Sequence, residues 1–434
     1  MTTQFQASCN GVITEQIKNC AKKEDVRPEV VREELSAGRA IIPANPNHSG
    51  LQPIVIGIAF RTKINANIGR STEASSDREE IKKMLTAISA GADCVMDLSV
   101  GNRLAELRKK LIANCTVPFG TVPVYEALSR VNGVIKKLEA SILLDVIQEH
   151  CEQGVDFMTL HAGLRKKHLP FVLKRKMGIV SRGGSILAEW MQIHNRENPL
   201  YENWDLILEI CRKHDVTISV GDGLRPGCLA DASDEAQFAE LETIGELVKR
   251  CRSAGVQVMV EGPGHIPLHQ IQMNVEKEQK ICDGAPFYVL GPVVTDIGLG
   301  YDHIVSAIGA AVAAQYGAAL LCCVTPSEHL GLPTVEEIRA GVIAFKIAAH
   351  AGDIARGVKG ARERDDAISD ARMKFDWKSQ FELAIDGVTA CRMFTKRCKM
   401  LLKKGRIDYC TMCGRNFCAI RTFNRLKKVK SSNR

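Results

Sequence analysis

The chain has 434 residues, of which 45% are hydrophobic and 25% charged, and it carries a net charge of +8. That balance fits a globular protein with one large domain plus appendages. It excludes a bilayer-crossing helix, since no apolar run approaches the roughly 20 residues a span requires, and the first residues lack the basic-then-apolar order of a signal peptide.

The positive charge gathers in two runs, 399–406 and 425–430. Aromatic residues are only 5% of the chain, and none alternate with basic ones, so base stacking has no platform and nucleic acid is not an expected partner. Sixteen cysteines are scattered mostly one at a time, which fits reduced thiols in a cytoplasmic setting. Cys94, Cys151, Cys211 and Cys251 lie among apolar residues and read as small core side chains.

In chain order, residues 1–80 form a small leading region. Helical stretches at 13–22 and 28–37 precede a Pro/Asn-rich loop at 43–50 and a strand at 54–58; a short strand at 63–69 ends in polar amides, and 71–77 is a turn-rich linker. From about residue 81 to 352 a rhythm sets in of a short apolar strand, a polar tip and an amphipathic helix. The expected strands are 93–98, 120–124, 156–160, 178–180, 216–220, 256–260, 287–290 and 319–324. In the helix at 235–252, Phe238, Leu241, Ile244, Leu247, Val248 and Cys251 form one stripe, with Ser233 as expected N-cap. Eight β-α units over roughly 250 residues predict a TIM-like (β/α)8 barrel, ahead of an open doubly wound sheet.

Such barrels place chemistry at the C-terminal ends of their strands. The tips carry Asp97 and Ser99, Tyr125, His161, Ser181-Arg182-Gly183-Gly184, Asp222-Gly223-Leu224-Arg225, Glu261, His265, Tyr288, Thr325, Glu328 and His329. The Gly-rich turn at 181–184 opens a helix and suits a phosphate, to which Arg225 could add a bidentate contact. His265 and His329 follow the sixth and eighth strands and could share a divalent metal completed by water or substrate, with His303 as a competing ligand. Residues 353–434 form a helical tail with too little apolar content for a large domain of its own. The tail ends in Cys410, Cys413 and Cys418, spaced C-x2-C-x4-C. Three thiolates would leave one iron of a 4Fe–4S cluster open; a zinc site completed by Cys398 or Cys391 is the alternative.

The chain resembles the phosphomethylpyrimidine synthase family of radical S-adenosylmethionine enzymes. The likeness rests on KINANIG, VMDLS, GTVPVY, IVSRGGS, GDGLRPGC, VQVMVEGPGH, GAPFYVLGP, GYDHI, VTPSEHLGLP, KIAAHAGD and CTMCGRNFC, in that order along nearly the whole chain. The resemblance implies a barrel with a C-terminal cluster segment, a homodimer in which one tail reaches the partner's site, and 5-aminoimidazole ribotide as substrate. It implies substrate contacts at Asn67, Met96, Tyr125, His161, Ser181, Arg182, Gly183, Asp222, Gly223, Leu224, Arg225, Glu261 and Tyr288. It likewise implies zinc, or another divalent metal, on His265 and His329, and a 4Fe–4S cluster on Cys410, Cys413 and Cys418. S-adenosylmethionine bound at the open iron would be cleaved by one electron, from a reductant such as flavodoxin or ferredoxin, to start a radical rearrangement.

Several positions depart from the family's usual pattern. Val100-Gly101 stands where Thr-Gly is usual, Gly298-Leu299 where Ala-Pro is, and Cys323 where Tyr is; the stretch at 394–409 is basic instead of acidic. With the ribotide positions retained, these departures favour a lyase of the paralogous group that makes 5-hydroxybenzimidazole for the lower ligand of a cobamide. The alternative product is 4-amino-5-hydroxymethyl-2-methylpyrimidine phosphate, for thiamine. A non-catalytic zinc-binding module is the remote alternative.

Overall fold

The computed structural model describes residues 2–403, 405 and 407–432, residues 428–432 by backbone alone. Lys404, Arg406 and the side chains of Lys428 and Lys430, all in the basic runs, lie outside the described residues. The chain divides into two compact units, Met1–Arg356 and Gly357–Arg434.

In the first unit eight parallel strands close into a barrel. They are β1 (Lys63–Ile68), β2 (Cys94–Asp97), β3 (Phe119–Thr121), β4 (Phe157–Leu160), β5 (Thr217–Val220), β6 (Val258–Gly262), β7 (Phe287–Leu290) and β8 (Leu320–Cys322). Each strand pairs with the next, and β8 pairs with β7 on one side and β1 on the other. These strands are nearly all buried, as expected where helices cover a parallel sheet. The TIM-like (β/α)8 fold is therefore present.

Two strands differ from the sequence reading. Lys63–Ile68 is the first barrel strand and not part of a leading region: Leu320 pairs with Lys63 and Asn65 with Cys94. Residues 178–180 form no strand. Gly178 has a positive φ and Val180 is exposed, so this run has neither the backbone nor the burial of a barrel strand. It leads instead into the helix Arg182–His194. The two changes cancel in the count, so His265 and His329 still follow the sixth and eighth strands.

The helix Glu235–Ser253 buries Leu241, Ile244, Leu247, Val248 and Cys251 against the barrel. Its N-cap is Asp234, which accepts from the Gln237 N–H; Ser233 turns its hydroxyl to Gln270. A carboxylate suits the positive end of the helix dipole better than a hydroxyl does. Cys94, Cys151, Cys211 and Cys251 are free and fully buried. Before the barrel, Ile17, Cys20, Val31, Leu35, Ile42 and Phe60 form a separate small core.

The second unit contains the helices Ala361–Met373, Trp377–Leu383, Gly387–Leu402, Gly414–Phe417 and Ala419–Ser432. Trp377 stacks on Phe394 with ring centroids 4.1 Å apart and donates its indole N–H to the Ile407 carbonyl at 3.1 Å. Among the described residues no helix is long and apolar enough to cross a membrane.

Candidate active site

A cavity opens at the C-terminal ends of the strands. Eight of the positions singled out in the sequence line it: Asn67, Met96, Tyr125, His161, Asp222, Arg225, Glu261 and Tyr288. Thr159 and Cys322 line it as well, though neither was singled out. Both belong to apolar strands, and only the closed barrel reveals that their side chains point inward.

One wall is ionic. Arg225 Nη1 lies 2.8 Å from Asp222 Oδ1, and Thr159 Oγ1 donates to Glu261 Oε1 at 2.8 Å. Burial pushes the Asp222 carboxyl up to about 8 against the pull of Arg225, and Glu261 is raised for the same reason. His161 is held neutral: burial, aided by Arg225, lowers it to about 3. His161 Nδ1 and Asp222 Oδ2 are buried with no hydrogen-bond partner among the described residues. Buried polar atoms without partners are costly, so these are natural contacts for a polar ligand.

The floor is a neutral polar chain. Asn65 Nδ2 donates to the Tyr288 hydroxyl at 2.7 Å, Tyr288 donates to Cys322 Sγ at 3.2 Å, and Asn67 Nδ2 donates to the same sulfur at 3.1 Å. Burial pushes the Cys322 thiol up to about 12 and raises Tyr288 as well. Neither ionises near neutral pH.

The turn at 181–184 closes one side. Ser181 caps its helix by accepting from Gly184 N at 3.1 Å. A Cβ on Gly183 would stand 2.4 Å from the His161 ring, and one on Gly184 would stand 2.3 Å from the Gly223 carbonyl oxygen. Only glycines allow this turn to press against the tips of β4 and β5. Arg182 lies over the Tyr125 ring at 4.9 Å and donates to the Leu98 carbonyl at 3.3 Å. Arg225 is engaged by Asp222, with the Glu261 carboxyl nearby. The Leu224 side chain is buried in the core, so Gly223 and Leu224 offer the loop their backbone.

His265 and His329 come together, with ring centroids 5.2 Å apart. His265 Nδ1 bonds Asp296 and His329 Nδ1 bonds Asp302, each at 2.8 Å. Carboxylates on both Nδ1 atoms orient the rings and leave Nε2 of each available to a further partner. The donor set fits a divalent metal completed by water or substrate. His303 joins neither ring contact, and its Nδ1 is buried without a described partner.

In the second unit Cys413 precedes the turn Gly414–Phe417 and Cys418 follows it, while Gly414 N donates to the Cys410 carbonyl at 3.1 Å. All three cysteines are free thiols. By number and softness they fit three corners of a 4Fe–4S cluster. Among the described residues no three His, Cys, Asp or Glu side chains are gathered closely enough to hold a metal.

Residues 3–425 match the Radical SAM ThiC family. A phosphomethylpyrimidine synthase of Halobacterium salinarum is 53% identical over 421 residues, covering 97% of this chain and 88% of that one. The synthase so named in Natronomonas pharaonis is 54% identical over the same shares, and that of Haloarcula marismortui 52% over 96% of this chain and 87% of its own. A solved dihydropteroate synthase of Xanthomonas albilineans aligns with 71% of this chain and 97% of its own at 11% identity and a TM-score of 0.39, too distant a likeness to carry any argument. With a family match over nearly its whole length and a barrel whose mouth gathers the predicted tips, the chain belongs to the Radical SAM ThiC family, whose chemistry employs a 4Fe–4S cluster and S-adenosylmethionine.

Proposed function

We propose that the cavity at the barrel mouth binds 5-aminoimidazole ribotide and that the protein, a lyase, converts it to 4-amino-5-hydroxymethyl-2-methylpyrimidine phosphate for thiamine biosynthesis. The observation that carries this product is the name phosphomethylpyrimidine synthase, borne by relatives 52–54% identical over 96–97% of the chain. It outweighs the departures that favoured 5-hydroxybenzimidazole. Those departures still motivate a second reading, because Val100 and Cys323 both line a neighbouring cavity that shares Asn67 and Leu98 with the first.

The residues divide the work. The N-terminus at Ser181-Arg182-Gly183 receives the ribotide phosphate through backbone N–H groups and the Arg182 guanidinium. Asp222, Glu261 and His161 hydrogen-bond the aminoimidazole and ribosyl groups, with Arg225 holding the Asp222 loop. Met96, Tyr125 and Tyr288 pack around the substrate and exclude water, which would otherwise quench a reactive intermediate. Cys410, Cys413 and Cys418 hold the cluster, and His265 with His329 holds zinc or another divalent metal. When bound, the cluster and S-adenosylmethionine supply a one-electron cleavage that generates an organic radical, with flavodoxin or ferredoxin as electron source. The protein works as a homodimer.

The test is an anaerobic single-turnover assay with reconstituted cluster, 5-aminoimidazole ribotide, S-adenosylmethionine and a strong reductant, with products identified by mass. A phosphorylated aminopyrimidine supports the proposal. A hydroxybenzimidazole overturns it in favour of the second reading.

A further inference from the structure

Beneath the loop that carries Asp222 and Arg225 lies a carboxyl with no assigned role. Glu240 belongs to the helix Glu235–Ser253, points into the barrel wall and is 2% exposed. Its Oε2 accepts from the Leu224 N–H at 2.6 Å, between the loop's two ligand-facing side chains and next to Arg225. Its Oε1 is buried with no partner among the described residues.

The backbone around Glu240 is shaped to admit it. A Cβ added to Gly223 would stand 3.0 Å from Glu240 Oε1, and one on Gly163 would stand 3.2 Å from Glu240 Cγ. Gly184, in the phosphate turn, meets the Gly223 carbonyl from the other side. Glu240 thus bonds the loop that carries Asp222 and Arg225 and that packs against the turn at 181–184. A cavity continues behind this wall, bounded by Asp222 and Glu261 on the substrate side and by Glu240 and Glu278 on the helix side.

A buried carboxyl is an expensive way to fill space unless it makes a bond that a methyl group cannot. The bond here is to the backbone of Leu224, and losing it would leave that N–H unpaired. We infer that Glu240 is a positioning residue: it fixes the Asp222–Arg225 loop so that both side chains face the ligand cavity in one geometry. Burial raises the Glu240 carboxyl well above the usual carboxylate range, and what the Leu224 N–H takes from it is an acceptor oxygen. An amide can therefore replace it, whereas an alkyl group of similar size cannot.

The inference rests on the reading that this cavity takes the ribotide, so two readouts on the full chain keep the two apart. Amide hydrogen exchange across 222–225 reports the loop itself. Calorimetric binding of 5-aminoimidazole ribotide without S-adenosylmethionine reports the ligand. Glu240→Leu, which keeps the volume and removes the acceptor, is expected to speed exchange at Leu224 about tenfold or more and to weaken ribotide binding by a similar factor, since a displacement of about 1 Å at a site can cost up to a hundredfold. Glu240→Gln is expected to restore both. If the Leu variant does not fold, Glu240→Asp, which withdraws the acceptor by one methylene, carries the same expectation in weaker form. Exchange at Leu224 unchanged in the Leu or Asp variant overturns the inference. Faster exchange rescued by Gln, together with no ribotide binding by the wild-type protein, upholds Glu240's role and defeats the ribotide reading alone.

Discussion

The two units hold their chemistry by opposite means. In Met1–Arg356 the cavity-lining groups come from all eight strand ends, from positions more than 200 residues apart, and they are fixed by burial before any ligand arrives. In Gly357–Arg434 the three cysteines lie within nine residues, and the buried apolar side chains among the described residues are only Ala361, Ala371, Cys398, Ile407 and Cys418. So thin a core supplies little folding energy, and metal binding ordinarily adds it in such segments. The barrel is preorganised by packing.

The largest effect should come from the tail. Cys413→Ala is expected to lower bound iron and to bring 5′-deoxyadenosine formation down to background, while thermal unfolding of the barrel stays where it was. Full 5′-deoxyadenosine formation in that variant would remove the cluster from these cysteines. A barrel that melted earlier would break the contrast between the units.

The pH dependence of the barrel sharpens the contrast from the other side. Asp222 keeps its proton up to about 8 in the folded chain, because burial outweighs the attraction of Arg225, whereas an exposed aspartate releases it near 4. Between these values the folded state holds a proton that the unfolded state has lost. The stabilisation is therefore complete below about pH 4 and declines as pH rises towards 8, with a slope of up to about 1.4 kcal/mol per pH unit from this group. Asp222→Asn is expected to flatten the decline in denaturant titrations; Glu261, shifted the same way, leaves a residue of it. Stability that rises with pH across this window would contradict the assignment.

The smallest effect on the fold should come from the histidine pair. The His329 side chain is 37% exposed, so His329→Ala is expected to leave the melting of metal-free protein nearly unchanged while depleting divalent metal, as read by elemental analysis. Unchanged metal content would shift attention to His303.

Much of this protein is legible one residue at a time. The C-x2-C-x4-C spacing, the polar tips and the alternation of short apolar runs with amphipathic stretches are local patterns, and local patterns survive in one dimension because strands and helices repeat over a few residues. The barrel and most of the cavity lining follow from them. Other features depend on which chain segments meet. Lys63–Ile68 closes the barrel only because Leu320–Cys322 returns beside it, whereas the apolar run at 178–180 finds no partner. Thr159 and Cys322 become cavity residues through the inward face of a closed sheet. Arg225 pairs with Asp222, and Glu240 reaches Leu224, because burial makes an unpaired charge or N–H costly and the nearest partner in space wins. Proximity in space is a product of folding, and no spacing along the chain encodes it directly.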